Sequence, residues 1–269
     1  MKVAVIITGQ LRDYKINALN HVKQIIEPNN ADVFVYACNK NTIHTCGENV
    51  TQKYNITSVE SKESITKDVK SLYGENLKAV EINENESLSD EDFGTIGYFR
   101  KRMQNQMDNI RSGFLMAQRY AHENGFKYDV IVRSRPDNSQ YADVVNLSEI
   151  DIEKGIIYST QYPSGHRDPW FFSFGDPETF DKYCSFRYLE GVDDTRTDSS
   201  FLCPEHAMEK FLPTIGIRLR YIVGICEPFT GYDKTLPVKE FPYRNTEEKL
   251  LDKDGNWVPQ ILQNQKETT

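Results

Sequence analysis

The stretch Tyr128–Asn138, YDVIVRSRPDN, decides the fold of this chain. Its first half, Tyr128–Val132, is a nearly continuous apolar run, which is typical of a strand buried on both faces of a parallel sheet. Pro136 has no N–H for a sheet ladder, so we expect the strand to end near it. The stretch therefore predicts a central strand of an α/β sheet that runs directly into a cluster of charged residues.

The charged cluster after this strand is formed by Arg133, Arg135 and Asp137. In an open α/β sheet, ligands bind beyond the carboxyl ends of the strands. Asp137 offers a hard oxygen ligand to a divalent cation, and an arginine pairs well with phosphate. The cluster therefore indicates a site for a phosphate-bearing ligand and a cation. The alternative is a strand end at which Asp137 caps the turn and the arginines form ordinary ion pairs, and spacing alone does not decide between the two.

The first strand of the chain is predicted at Lys2–Thr8, because this segment is rich in β-branched residues and is followed by Gly9. A predicted helix over residues 14–26 ends before Pro28. A strand, a glycine turn and a helix open a nucleotide-binding α/β unit, although neither a GxGxxG nor a Walker lysine pattern is present. Gly9 and Arg12 are therefore candidate ligand-binding residues, with a turn glycine and a surface arginine as the alternative.

The rest of the chain continues the alternation of strands and helices. The longest helix is predicted by an apolar stripe at steps of three and four residues from Phe99 to Ala121. Further strands are predicted at 31–38, 50–59, 77–82, 155–162, 170–174 and 219–225, and helices near 64–73, 177–189 and 204–212. This pattern predicts one α/β domain over residues 1–226, with a mixed, mostly parallel sheet flanked by helices. Residues 227–269, rich in proline and charge, are predicted to form a tail packed on that domain and frayed at its end.

The bulk composition excludes some classes of protein. A length of 269 residues fits one large domain. The formal charge of −8 argues against a general nucleic-acid or anionic-membrane binder. The apolar runs are too short for a signal peptide or a transmembrane segment, and the five scattered cysteines are consistent with reduced thiols. We therefore expect a cytoplasmic protein without nucleic-acid partners.

Four stretches together resemble a small GT-A type glycosyltransferase: KVAVIITGQLRDY at residues 2–14, YDVIVRSRPDN, WFFSFGD at residues 170–176, and the later Cys203-Pro204-Glu205. The chain is similar to the glycosyltransferases encoded by large algal viruses, of the chlorovirus type. This resemblance implies a GT-A-like, Rossmann-type fold, a nucleotide-sugar donor that is usually a UDP-sugar, and a glycan acceptor.

The resemblance also implies site residues. Enzymes of this type hold the donor with Mn²⁺ or Mg²⁺ through a DxD-like motif, and Arg135-Pro136-Asp137 stands at that place here. Only Asp137 is therefore carried over as a metal ligand. Arg133 and Arg135 are candidates for the donor phosphates because they belong to the charged cluster after the strand. By the same resemblance, Thr8, Gly9 and Arg12 line the nucleotide site.

An inverting sugar transfer needs a carboxylate to deprotonate the acceptor hydroxyl. The candidates are Glu205, Asp198 and Asp168, which all follow the predicted donor site in the chain. Glu205 comes first, because Pro204 suits the first turn of a helix and would hold Glu205 on rigid backbone. The alternative role for Glu205 is stabilisation of the helix dipole.

Two other functions compete with the glycosyltransferase hypothesis. A non-catalytic glycan- or nucleotide-binding protein with the same fold is favoured by the missing Asp-x-Asp. A nucleotidyltransferase would share the α/β plan and a phosphate site, but the first strand is not followed by a glycine-rich loop with a partnering lysine.

Overall fold

The computed structural model describes residues 1–12, 14–44, 54–83, 96–137, 144–160, 172–185, 211–222, 247–251 and 257–261. The strands are β1 (Val3–Gln10), β2 (Asp32–Cys38), β3 (Lys40–His44), β4 (Tyr54–Val59), β5 (Leu77–Asn83), β6 (Val130–Ser134), β7 (Ile156–Thr160), β8 (Phe172–Gly175), β9 (Arg218–Ile222), β10 (Glu247–Leu251) and β11 (Trp257–Ile261). The helices are α1 (Tyr14–His21), which continues as a π-helical turn, α2 (Lys62–Tyr73), α3 (Ile96–Glu123) and α4 (Pro177–Cys184).

Nine of these strands form one sheet in the order β11-β10-β9-β7-β8-β6-β1-β2-β5. The strands β6, β1, β2 and β5 are parallel neighbours, and β7 is parallel to β9. Strand β8 runs antiparallel between β6 and β7. From β1 to β9 the sheet is therefore mixed and mostly parallel with flanking helices, which confirms the predicted α/β fold class. Strands β3 and β4 form a separate antiparallel pair.

The neighbouring strands β1 and β6 lie inside the sheet and are buried on both faces, as their apolar runs predict. Val5 of β1 belongs to the hydrophobic core shared with α1 and α2, whereas Ile6 belongs to the core under α3. All five residues of β6 are buried. Because successive side chains of a strand point to opposite faces, a sheet covered by helices on both sides requires apolar residues at nearly every position.

Several element boundaries differ from the sequence-based expectation, and two of the differences concern the site and the border of the sheet. Strand β6 includes Arg133 and Ser134, which pair in register with Ile6 and Ile7 of β1. The ladder thus extends past the apolar run and ends just before Pro136, as the missing N–H of proline predicts. Within residues 227–269, predicted to be a tail packed on the domain, the described residues form the antiparallel strands β10 and β11 at one border of the sheet.

Helix α3 lies directly against β1 and is the longest helix among the described residues. Gly113 makes the close approach possible, since a Cβ at this position would lie 2.8 Å from Thr8 Cγ2 and 3.4 Å from Ile6 Cβ. No helix in the described part of the chain combines the length and the apolar character needed to cross a bilayer.

The close contact between α3 and β1 gives a first prediction. Gly113→Val should lower the free energy of unfolding by about 1–3 kcal/mol, because the added methyl groups overpack the contact with Thr8. Urea unfolding of Gly113→Val and of Ser112→Val, a partly exposed neighbour on the same helix, measures this. Equal stability of the two variants would contradict the close approach of α3.

Candidate functional site

The carboxyl ends of β1 and β6 meet at one edge of the sheet and carry most of the predicted site residues. The two strands are parallel, so Gly9 at the end of β1 lies beside the residues that follow β6. A Cβ on Gly9 would lie 3.7 Å from Pro136 Cδ, and the φ angle of Gly9 is +129°. Residues other than glycine rarely adopt this backbone conformation, which explains the glycine at the first turn.

Asp137 is held by two arginines, one from the turn after β1 and one from the segment after β6. Arg12 Nη1 donates to Asp137 Oδ2 at 2.8 Å. Arg135 donates from Nε to Oδ1 at 2.7 Å and from Nη2 to Oδ2 at 2.6 Å, which is the bidentate arrangement that suits guanidinium and carboxylate. The exposed fraction of the side chain is 30% for Arg12, 21% for Arg135 and 12% for Asp137. We call these three residues the arginine–aspartate triad.

The charge of the triad is fixed at neutral pH. Burial alone would raise the pKa of Asp137, but the positive charges and hydrogen bonds of Arg135 and then Arg12 outweigh this effect and lower it to about 2. Asp137 is therefore ionised, and two positive charges against one negative charge leave the triad with a net positive charge. The more exposed groups of the triad are also the positive ones.

The backbone at Arg12 is strained in a way that favours a functional role. Its φ angle is +39°, in the left-handed region that non-glycine residues seldom enter. Such outliers cost of order 1–3 kcal/mol and occur often at ligand clamps and active sites. With this backbone conformation, the Arg12 guanidinium lies against Asp137. The strain lowers the stability of the fold, and the charged group is positioned at the edge of the sheet.

Thr8 and Arg133 lie together but inside the protein. Arg133 is only 1% exposed and Thr8 is fully buried, and Arg133 Nε donates to Thr8 Oγ1 at 3.4 Å. Both side chains lie on the face of the sheet covered by α3, where Gly113 approaches Thr8. In this structure Thr8 and Arg133 pack under the site, between the sheet and α3. The accessible part of the site is formed by Gly9, Arg12, Arg135 and Asp137.

A second set of hydrogen bonds holds the segment after β6 from the opposite face. His21 is fully buried, with Nδ1 3.0 Å from the Tyr73 hydroxyl and Nε2 3.5 Å from Ser134 Oγ. Asn17 Nδ2 donates to the Pro136 carbonyl oxygen at 3.4 Å. Helix α1 thus contacts the chain on both sides of Arg135, with α2 supporting His21 through Tyr73, and none of these contacts was predicted from the sequence.

The sequence analysis also missed three asparagines at the same edge. Asn39 directly follows β2, and its N–H donates to the carbonyl oxygen of Asn83 at the end of β5 at 3.2 Å. Asn83 Nδ2 in turn donates to Asn109 Oδ1 on α3 at 3.1 Å. The buried Oδ1 atoms of Asn39 and Asn83 accept no hydrogen bond from the described residues.

A buried acceptor without a hydrogen bond lowers the stability of the fold, so a ligand that brings N–H groups to this edge would be favoured. The positions of Asn39 and Asn83 at the carboxyl ends of β2 and β5 were the signal, since Arg135 lies at the carboxyl end of β6 in the same way.

The predicted acceptor half of the site lies outside the described residues. This applies to the candidate bases Asp168, Asp198 and Glu205 and to the predicted helix near 204–212, of which only the end is described. Their roles stay predictions from the sequence.

The predicted Mn²⁺ or Mg²⁺ can be tested against the surroundings of Asp137. Both oxygens of this carboxylate already accept hydrogen bonds from guanidinium groups, which would stand beside any bound cation. Within the described ranges, no group of three or more His, Cys, Asp or Glu side chains can hold a metal ion. Asp137 as arranged here therefore does not fit a divalent cation, although the metal itself stays a prediction.

No protein-family model matches this chain, and the search of curated proteins found no match either. The function is therefore inferred from the residues and geometry of the chain itself.

The electrostatics of the triad give a second prediction. The pKa of Asp137 is lowered from 3.8 to about 2, so its ionised form adds about 2 kcal/mol to the free energy of unfolding at neutral pH. Asp137→Asn should lose this amount. Because the folded-state pKa is depressed, the difference between the two proteins should be full above about pH 4 and should vanish as the pH falls through about 2.

Denaturant unfolding at a series of pH values measures this effect. Asp181→Asn is a suitable control, since Asp181 is 54% exposed and pairs with Arg111 at 3.4 Å on the surface. An exposed pair contributes about 0–1 kcal/mol. A difference for Asp137→Asn that stays constant from neutral to acidic pH would show that the charge of Asp137 is not the cause.

Proposed function

We propose that this chain is a glycosyltransferase that moves a sugar from a nucleoside-diphosphate sugar, a UDP-sugar by its resemblance, to a hydroxyl of a glycan with inversion. The observation that carries the proposal is the arginine–aspartate triad at the carboxyl ends of β1 and β6. A net positive cluster at this place in a mostly parallel α/β sheet suits the diphosphate of a nucleotide.

The local backbone supports the same function. Gly9, with its positive φ angle, leaves room at the first turn, and Arg12 is held in a strained conformation beside Asp137. A glycine in this turn lets a ligand approach the backbone closely. Asn39 and Asn83 add buried acceptors at the neighbouring strand ends, which suit the N–H donors of a nucleobase.

In the proposed reaction, the acceptor oxygen forms a bond to the anomeric carbon as the bond from that carbon to the diphosphate oxygen breaks. The electron pair of the breaking bond goes to the diphosphate, and the acceptor proton goes to a carboxylate base. Arg12 and Arg135 stabilise the charge that develops on the diphosphate, so they favour the transition state over the ground state. Glu205 is the proposed base, with Asp198 as the second candidate.

A non-catalytic nucleotide- or glycan-binding protein is the alternative function. It is favoured by the engagement of both Asp137 oxygens with arginines, which resembles a structural ion pair as much as a catalytic site. The two functions differ in turnover, since only the enzyme releases nucleoside diphosphate.

A third prediction tests the reaction directly. Incubating the protein with a panel of nucleotide sugars and glycan acceptors, with and without Mn²⁺, should release nucleoside diphosphate and form a product with inverted anomeric configuration. The released diphosphate is measured by a coupled assay and the configuration by NMR. Binding of nucleotide without release of diphosphate for every donor would favour the non-catalytic alternative. Pyrophosphate released from a nucleoside triphosphate would favour a nucleotidyltransferase.

A fourth prediction tests the base. Glu205→Gln keeps the shape of the side chain and removes its charge, so turnover should fall by about 10²–10⁴-fold while the affinity for the donor stays unchanged. Asp198→Asn is the matched comparison. Normal turnover in Glu205→Gln with inactive Asp198→Asn would assign the base to Asp198, and full activity in both would show that the acceptor is deprotonated elsewhere.

A further inference from the structure

The geometry points to a diphosphate site that works without a bridging metal ion: Arg12 and Arg135 bind the diphosphate directly, and Asp137 is a positioning residue that aligns the two guanidinium groups. The inference rests on the proposed function, in which a nucleoside diphosphate is the leaving group. The sequence analysis predicted Asp137 as a metal ligand, whereas this inference makes it the residue that positions the two arginines.

The occupancy of the carboxylate is the first reason. Asp137 Oδ2 accepts from Arg12 at 2.8 Å and from Arg135 at 2.6 Å, and Oδ1 accepts from Arg135 at 2.7 Å. Mg²⁺ binds carboxylate oxygens at about 2.0–2.1 Å and demands near-ideal octahedral geometry. To bind Asp137, it would have to displace these N–H groups or share an oxygen with them, within a few ångströms of two fixed positive charges.

The net charge of the triad is the second reason. Two guanidinium groups and one carboxylate leave one positive charge at neutral pH. This charge repels a divalent cation and attracts a diphosphate. Guanidinium groups also match the geometry of phosphate oxygens and can bind them in a bidentate manner.

Accessibility is the third reason. With 30% and 21% of their side chains exposed, Arg12 and Arg135 present more surface than Asp137, which is 12% exposed. A ligand that arrives from solvent therefore meets the guanidinium groups first. The strained backbone of Arg12, with φ at +39°, is consistent with a residue placed for ligand contact.

This arrangement assigns the stabilisation of the leaving group to protein side chains. When the bond between the anomeric carbon and the diphosphate oxygen breaks, the electron pair stays on the diphosphate. The two guanidinium groups neutralise that charge, which is the task that a metal ion otherwise performs. Asp137 does not touch the reacting atoms and acts through the two arginines.

Calorimetric titration of the full chain with UDP, GDP and inorganic pyrophosphate, in EDTA and separately in Mn²⁺, tests the inference. We expect at least one of these probes to bind in EDTA as tightly as in Mn²⁺, within about threefold. Arg12→Gln and Arg135→Gln should each weaken this binding about tenfold or more, as expected for a lost charge-assisted hydrogen bond. Arg119→Gln, which removes an exposed arginine of α3, is the matched control and should bind normally.

The role of Asp137 is tested in the same EDTA titration. Asp137→Asn should bind the probe more weakly, because the arginines lose their common partner, and Asp137→Glu should recover part of the affinity. Circular dichroism shows whether each variant is folded, and Arg12→Lys and Arg135→Lys replace any glutamine variant that is not. Unchanged affinity in Asp137→Asn would overturn the positioning role.

Two further outcomes would overturn the inference and are distinguishable from failure of the proposed function. Binding that requires Mn²⁺ would show that a metal ion bridges the diphosphate, while the glycosyltransferase proposal would stand. The absence of binding for all three probes in both buffers would show that this edge of the sheet does not bind a diphosphate. The proposed function itself fails only if no nucleotide sugar is turned over in either buffer.

Discussion

The parallel pairing of β1 with β6 is the constraint on which the site depends. Arg12 and Asp137 are 125 residues apart in the chain, yet their side chains meet at 2.8 Å. They meet because parallel strands end at the same edge. The register, in which Val3 pairs with Val130 and Ile7 pairs with Ser134, fixes the distance between the two turns. A shift of this register by one residue would exchange the faces of every side chain in β6, including the buried Arg133.

The sequence was informative wherever one physical requirement dominates a stretch. The apolar run before Arg133 is short, rich in β-branched residues and needs burial, which favours a strand inside a sheet, and Pro136 has no N–H to continue a ladder. These two requirements located β6 and its end, and the stripe from Phe99 to Ala121 located α3. Together they predicted the mixed α/β sheet and a charged cluster beyond its central strands.

The partners of the charged residues were not predictable, because they depend on packing between distant segments. Nothing local to Asp137 indicates that Arg12 would share its carboxylate, or that His21 on α1 would approach Ser134. Arg133 shows the same limit: its spacing suggested a ligand contact, but the extension of the β6 ladder buries it. Asn39 and Asn83 were missed because an asparagine at a strand end is also common in ordinary turns.

The order of the strands also bears on how the protein behaves at high concentration. Among the strands of the described residues, β11 and β5 are the outer ones of the sheet, and an exposed row of backbone N–H and C=O groups can recruit another chain. Pro259 in β11 has no N–H to offer such a partner, and β5 carries the charged residues Lys78 and Glu81. Both features discourage edge-to-edge pairing. The two borders of the sheet are thus protected by different chemistry, which favours a chain that does not aggregate through its strands.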